Sequence, residues 1–324
     1  MDIRQLRYFL EVARLSNFTK AAESLRIAQP AVSMAVKKLE EELDLVLFNR
    51  QDKKVSLTAE GEIFLSHARR IMDDLRGAEL EMAELKGLSR GEVRIGITPM
   101  ISAYFFPDIF RDFKRSYPQL SISVLGEGSG RIQKMIGDGE LDMGVVAGGG
   151  SAAFPATLEV RRFLREEIVV CVPLDHPFAG RQAVTLAEFI GEPLVFYKEG
   201  YYIREFFLEA LKGTGSAPRI IFETNLFSLV KSLVRNGTGI SIFLKMVVAE
   251  DTDLAAVSFD PPLHLNLLIA WKKDTYLSLA NRAFVDFLLE HAPGEREGGA
   301  AVAPLYIGSS NSISLPAIFL GGRT

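Results

Sequence analysis

The stretch FTKAAESLRIAQPAVSMAVKKLEEEL, residues 18–43, spells two short helices with a tight turn between them. Pro30 suits the first turn of the second helix, where its missing N–H is an unpaired group in any case. Val32, Val36, Leu39 and Leu43 follow helical spacing and keep that helix on a core. Gln29, Pro30, Ser33 and Lys37 then share another face, and such a face suits the major groove of a DNA duplex. The amide at position 29 can pair bidentately with adenine, or it can simply cap the helix.

Upstream, Asp2-Ile3-Arg4-Gln5 reads as a capping box that opens a first helix. Leu6, Phe9, Leu10 and Ala13 form its apolar side. Asn17 ends it, and Thr19 is placed to cap the next helix, residues 20–26. Downstream, residues 49–57 read as a two-strand wing with basic residues near its tip. The first 90 residues hold 15 Lys/Arg and 15 Asp/Glu, yet the charge is sorted. Lys20, Arg26, Lys37 and Lys38 stand against only Glu23 over residues 18–38. Thr19, Lys20, Arg50, Lys53 and Lys54 are therefore expected to hold phosphates, which orients a protein on DNA without specifying sequence. A solvated lysine face is the plainer alternative. The whole-chain charge of −4 does not oppose the DNA reading, because phosphate contact needs a local basic face and not a high pI.

Residues 59–86 read as one long helix. Phe64, Ala68, Ile71, Leu75, Ala78, Met82 and Leu85 are spaced alternately by four and three, which is a heptad seam. The positions between are almost all charged or small, so the seam calls for a second copy of the chain rather than for its own domain. Gly87 stops the helix, and residues 88–91 form a hinge.

From residue 92 the pattern changes to short apolar strands alternating with helices. Strands are expected at 93–97, 121–125, 143–146, 168–173, 194–196, 220–223, 240–243 and 265–271, and helices at 101–117, 131–138 and 226–236. This alternation means α/β sheets flanked by helices, here two Rossmann-like lobes with ligand space between them at strand ends. Three helix starts should converge on the cleft: Thr98-Pro99-Met100, Gly128-Ser129-Gly130 and Thr224-Asn225. Helix dipoles there favour an anion such as a carboxylate. Tyr197, Tyr201 and Phe243 could wall the same cleft or could be ordinary lobe packing. The segment from 294 to 324 is rich in Gly, Ser, Ala and Pro and reads as a flexible tail.

A chain of 324 residues makes two or three compact units. The single cysteine, Cys171, lies in an apolar run, which excludes an internal disulfide framework and points to a buried thiol. Met1 leads into a charged amphipathic helix, with no signal peptide and no membrane-spanning run, so a cytoplasmic protein is expected. His67, His176, His264 and His291 do not pair with one another or with Cys171 at metal-ligand spacing. Neither glycine-rich stretch, 126–130 or 148–150, matches a dinucleotide or phosphate-loop fingerprint. No enzyme, catalytic residue, metal site or cofactor is expected.

From about residue 1 to 292 the chain resembles a LysR-type transcriptional regulator. FTKAAESL, AQPAVSMAVKKLEEEL, LFNR and VSLTAEG carry the most specific part of the resemblance, and VRIGIT, FPDIF, GELDMGVV, DHPFAG and GTGISIF a looser part. The resemblance implies a winged helix-turn-helix DNA-binding domain over 1–58 and a dimerising linker helix and hinge over 59–90. It implies a two-lobed effector-binding domain over 91–293, like a type II periplasmic binding protein. It also makes Thr98 and Ser129 the leading polar contacts to an effector. The implied partners are double-stranded DNA with a pseudo-palindromic operator, a small anionic metabolite, RNA polymerase, and further copies of the chain in a homodimer or homotetramer. Met34 and Ala35 depart from the family pattern, which commonly has Arg and Gln there; by its place on the recognition helix Met34 is still expected among the DNA-binding residues. A solute-binding transport component is the rival reading; it leaves the amino-terminal head unexplained.

Overall fold

The structure, a computed structural model, describes residues 1–50, 55–85, 91–148, 154–212 and 217–292. Lys53, Lys54, the hinge at 88–90, the tail at 294–324 and the side chain of Leu85 lie outside the described residues.

Helix α1 (Ile3–Leu15) opens on the capping box. Asp2 Oδ1 accepts from Gln5 N at 2.8 Å, and Gln5 Oε1 accepts from Asp2 N at 2.6 Å. Helix α2 (Phe18–Leu25) is capped by Asn17, not by Thr19. Asn17 has an extended backbone, and its Oδ1 accepts from the N–H groups of both Thr19 and Lys20, so one amide oxygen serves two free donors. Arg26 turns left-handed (φ 56°) and releases the chain into α3 (Gln29–Leu43), which has Pro30 in its first turn. The wing is β1 (Phe48–Asn49) paired antiparallel with β2 (Ser56–Leu57). Phe9 lies at the centre of this unit, 5.2 Å from the Phe48 ring and 5.0 Å from the Phe64 ring.

Helix α4 (Ala59–Leu85) has 27 residues and is about 40 Å long. Its seam divides. Phe64 packs edge-on against Phe9, and Ala68 is fully buried in the head core. These two positions are therefore occupied by the chain's own head, where the heptad reading gave them to a second copy. Leu75 is half-buried, whereas Ile71, Ala78 and Met82 stay exposed.

The lobes contain, in order, β3 (Glu92–Ile97), α5 (Pro99–Tyr104), α6 (Phe106–Ser116), β4 (Ser121–Gly126), α7 (Ser129–Gly137), β5 (Met143–Gly148), β6 (Leu158–Pro173), β7 (Ala183–Val184), α8 (Leu186–Gly191), β8 (Leu194–Tyr197), α9 (Tyr202–Ala210), β9 (Ile220–Thr224), α10 (Phe227–Arg235), β10 (Ser241–Leu244), α11 (Lys245–Val248), β11 (Leu254–Lys272) and α12 (Leu279–His291). The main sheet runs β10-β6-β11-β5-β3-β4, and β8 pairs with β9 in a second sheet. β3 is parallel to β4 and β5, as βαβ units require, whereas β11 is antiparallel to both β5 and β6. The helix expected over 101–117 is broken at Phe105. Pro107 sits in the first turn of α6 and lacks the N–H that a continuous helix needs.

β6 and β11 are 16 and 19 residues long, far beyond the expected 168–173 and 265–271. Their charged stretches, such as Arg161-Arg162 and Arg165-Glu166-Glu167, hide the strands from a hydrophobicity reading. Backbone pairing with each other holds them extended from one lobe to the next. Cys171 is fully buried on β6, and burial pushes its thiol up to about 12. No helix among the described residues is long and apolar enough to cross a membrane.

Candidate functional site

Three places merit attention: the outer face of α3, the cleft between the lobes, and the contact between α4 and the first lobe. On α3, Val32, Val36 and Leu39 are buried, and Pro30, Ala31, Met34, Lys37, Lys38 and Glu41 are exposed. Gln29 and Ser33 lie at the border, each half-buried. Thr19 and Lys20 are exposed at the start of α2. Lys37 and Lys38 reach Glu41 and Glu42 at 3.5 and 3.8 Å, exposed pairs that contribute little and dissolve readily in favour of a phosphate.

Arg50 differs from the expectation of a free phosphate contact. Its guanidinium bonds Glu40 at 2.8 Å and lies 5.0 Å from the Phe18 ring. Glu40 also accepts from the N–H groups of Leu47 and Phe48, so the Arg50–Glu40 pair clamps the wing to α3.

Between the lobes lies a cavity of about 40 Å³, lined by Thr98, Met100, Ile101, Ser129, Ala147, Tyr201, Tyr202, Ile203, Phe227, Leu244 and Leu265. That volume holds only a few water-sized groups. The lobes meet closely beside it: a Cβ placed on Gly128 would lie 2.4 Å from the Gly200 carbonyl oxygen. Of the residues expected at the effector site, Thr98, Met100, Ser129 and Tyr201 line this cavity. Ser129 is buried and its Oγ accepts from Ala147 N at 3.1 Å, which leaves its own O–H to donate. Burial, then the Glu127 charge, holds the Tyr201 phenol above its ordinary value, so it stays neutral and donates, here to Asn225 O at 2.7 Å.

The other four do not line it. Tyr197 and Phe243 are wholly buried in the second lobe, and Tyr197 donates to Ile242 O at 3.0 Å. Thr224 is buried with its Oγ1 accepting from Leu226 N, and Asn225 is exposed. The third helix start also moves: α10 is capped at Leu226, after Thr224-Asn225 rather than on it. The apolar wall residues Ile101, Ile203, Phe227, Leu244 and Leu265 were not anticipated. Each is an ordinary core-type residue in its own segment, and only the meeting of five elements makes them a wall.

α7 begins at this cavity with Ser129 and ends against α4. Arg76 and Arg94 bond Asp142 at 2.9 and 2.7 Å, and Arg69 bonds Asp138 at 2.7 Å. Lys272 bonds Asp73 and donates to Gly137 O, the last residue of α7. Burial raises the Asp142 carboxyl, but the Arg94 hydrogen bonds and the Arg76 and Arg94 charges outweigh it and hold the carboxyl below its ordinary 3.8. A depressed carboxylate stabilises the fold above its unfolded value, and that contribution is lost as pH falls through the folded one. Asp142→Asn should therefore lower stability at pH 7 by roughly 1–3 kcal/mol. Thermal melts should show the gap to the unaltered protein closing as pH falls below 3.8. A gap that widened in acid would contradict this account.

Two sequence profiles match the chain: "LysR substrate binding domain" over residues 86–293 and "Bacterial regulatory helix-turn-helix protein, lysR family" over residues 3–62. YwbI, an uncharacterised HTH-type transcriptional regulator of Bacillus subtilis (strain 168), is 34% identical over 293 residues, covering 88% of this chain and 95% of YwbI. Full-length OxyR from Pseudomonas aeruginosa superposes with a TM-score of 0.69 at 24% identity, covering 89% of this chain and 94% of that one. Full-length CbnR, crystallised with its target DNA, superposes with a TM-score of 0.51 at 23% identity, covering 90% of this chain and 100% of that one.

Proposed function

The chain belongs to the LysR family of bacterial transcriptional regulators, and we propose that it reads a pseudo-palindromic operator as a homo-oligomer controlled by a small metabolite bound between its lobes. The observation that carries this reading is the outer face of α3. Its inner residues complete the head core, and its outer residues from Pro30 to Lys38, with Lys20 beside them, present cations and uncharged groups that the fold does not need. Gln29 and Ser33 read base edges at the border of that face, and Thr19, Lys20 and Lys37 hold phosphates. Residues 1–58 act as the DNA head, 59–90 as linker and hinge, 91–293 as sensor and 294–324 as a tail. The chain works in the cytoplasm, and RNA polymerase is its downstream partner.

Exposed Ile71, Ala78 and Met82 on α4 are the part of the seam left for a second copy. Dimers place two α3 helices in neighbouring grooves, which is why a two-fold operator follows. The metabolite is small, with an apolar body against Ile101, Phe227 and Leu265. Its acidic group sits near the start of α7, where the helix dipole favours an anion and, among the described residues, no charged side chain lines the cavity to oppose it. Binding shifts the lobes, and α7 carries the shift from Ser129 to the ion pairs on α4.

Gel shifts with duplexes selected from a random pool test the reading. Gln29→Ala should lose about 1–3 kcal/mol of discrimination between selected and random duplexes. Lys37→Ala should weaken both equally and reduce the salt dependence by about one charge. Equal loss of discrimination in the two variants would remove the distinction between reading and anchoring. Calorimetry of the full chain against a panel of carboxylates, phosphates and sulfate tests the sensor. A binding carboxylate should lose affinity in Ser129→Ala, and silence across the whole panel would count against an anionic effector.

A further inference from the structure

Met34 is 71% exposed, the highest value for any large apolar side chain among the described residues. Folding gains nothing from leaving it in water. It is not at a frayed terminus or a loop tip but in the body of α3, whose opposite face is fully packed. Pro30 precedes it by four residues and is also exposed, as is Ala31. These three residues form an uncharged apolar strip on the amino-terminal half of the helix. Lys37 and Lys38 stand exposed one turn further on, and Lys20 is exposed on α2.

A strip of this kind, flanked by cations, fits one partner chemistry. In the major groove of DNA the phosphates meet the cations, and the apolar group that a base pair presents there is the C5-methyl of thymine. We propose that Met34 is a specificity-determining residue that selects thymine in the operator by packing its thioether on that methyl. The proposal rests on the DNA-binding role of α3 and adds the base and the chemical group. Pro30 and Met34 are one helical turn apart, roughly 5–6 Å between side-chain roots. Bases along one strand are about 3.4 Å apart, so the two residues reach bases about two steps apart.

The test uses the full chain and a duplex selected from a random pool. Each thymine of that duplex is replaced singly by uracil, which deletes the methyl and keeps the pairing edge. One such replacement per half-site should weaken binding of the unaltered protein about three- to five-fold, the value of one buried methyl. In Met34→Ala the same replacement should leave affinity unchanged. Met34→Arg should shift the selected base at that position toward guanine, whose O6 and N7 accept from a guanidinium. Uracil penalties that are identical in the unaltered protein and Met34→Ala would overturn the assignment while leaving DNA binding intact. A change of oligomeric state in Met34→Ala with no change in uracil penalty would assign the residue to contact between copies instead, and equally overturn it. Failure to enrich any duplex would remove the DNA-binding role itself, and the inference with it.

Discussion

Gly61→Val is expected to strip the amino-terminal head of most of its stability while the lobes keep theirs. Gly61 lies in the first turn of α4, and its N–H donates to Thr58 Oγ1 at 2.9 Å. A Cβ there would sit 2.2 Å from the Leu47 carbonyl oxygen and 3.0 Å from Leu57 Cδ2. The Leu47 carbonyl cannot step aside, because it accepts from Thr58 N at 3.0 Å and so joins the wing to the helix. One side must move by most of an ångström. The cost is about 3 kcal/mol or more, well above the roughly 1 kcal/mol that leaving glycine gains inside a helix. A small head has a stability on the order of 5 kcal/mol, so most of it is removed: the head should melt well before the lobes, and DNA affinity should fall at least roughly ten-fold once warming makes the open form dominant. The only tryptophan, Trp271, is buried on β11 in the lobes. Its emission should therefore stay native through the warming at which DNA binding is lost. Loss of DNA binding at the same temperature in Gly61→Val and the unaltered protein would show that the wing and α4 can separate without harm.

Lys231→Met should cause the second large loss. Lys231 and Asp251 are bonded at 2.8 Å with side-chain exposures of only 12% and 7%. The same ammonium donates to Val247 O at 2.7 Å and to Tyr104 OH at 2.9 Å, and Tyr104 belongs to the first lobe, on α5. One cation thus holds a carboxylate within its own lobe and a phenol across the cleft. Removing it leaves Asp251 with Arg235 at 3.2 Å, which softens the loss. The expected cost is about 2–4 kcal/mol, a fall in Tm of roughly 5–15 °C.

The pH dependence follows from the two directions. Burial is the largest single influence and opposes both charges. The mutual hydrogen bond, the mutual attraction and the further bonds of Lys231 to Tyr104 and of Asp253 N and Arg235 to Asp251 together outweigh it, so Lys231 is held above 10.5 and Asp251 below 3.8. The lysine contribution is full below 10.5 and lost as pH rises through its folded value. The aspartate contribution is full above 3.8 and lost as pH falls through its own. The deficit of Lys231→Met should therefore be flat between 3.8 and 10.5. Tyr104→Phe removes only the bond across the cleft and should cost about 1 kcal/mol. If Tyr104→Phe were as damaging as Lys231→Met, the lobe contact and not the buried ion pair would dominate.

Much of the head was legible because its signals act over three or four residues. Asp2 and Gln5 cap α1 as their spacing requires, and Pro30 sits in the first turn of α3. Val32, Val36 and Leu39 are buried on schedule. The exchange of Thr19 for Asn17 as the cap of α2 is a local error of the same range: both residues have a suitable oxygen, and backbone extension at Asn17 decides between them.

The cleft was legible only in part. Thr98 and Ser129 announce themselves at strand-to-helix turns. Tyr197 and Phe243 do not declare which side of their strands they will face, and the packing of the second lobe turned both into its core. Leu244 and Leu265 stand 21 positions apart and meet at one cavity.

By itself the sequence determined the helices of the head, the length of α4 and the alternation of strand and helix, since propensity, capping and apolar period are properties of neighbouring residues. Tertiary structure alone decided which half of the α4 seam is free, how far β6 and β11 extend, and which side chains wall the cavity. Those outcomes depend on partners far along the chain, as when Leu158 pairs with Lys272, and no local pattern encodes the identity of a distant neighbour.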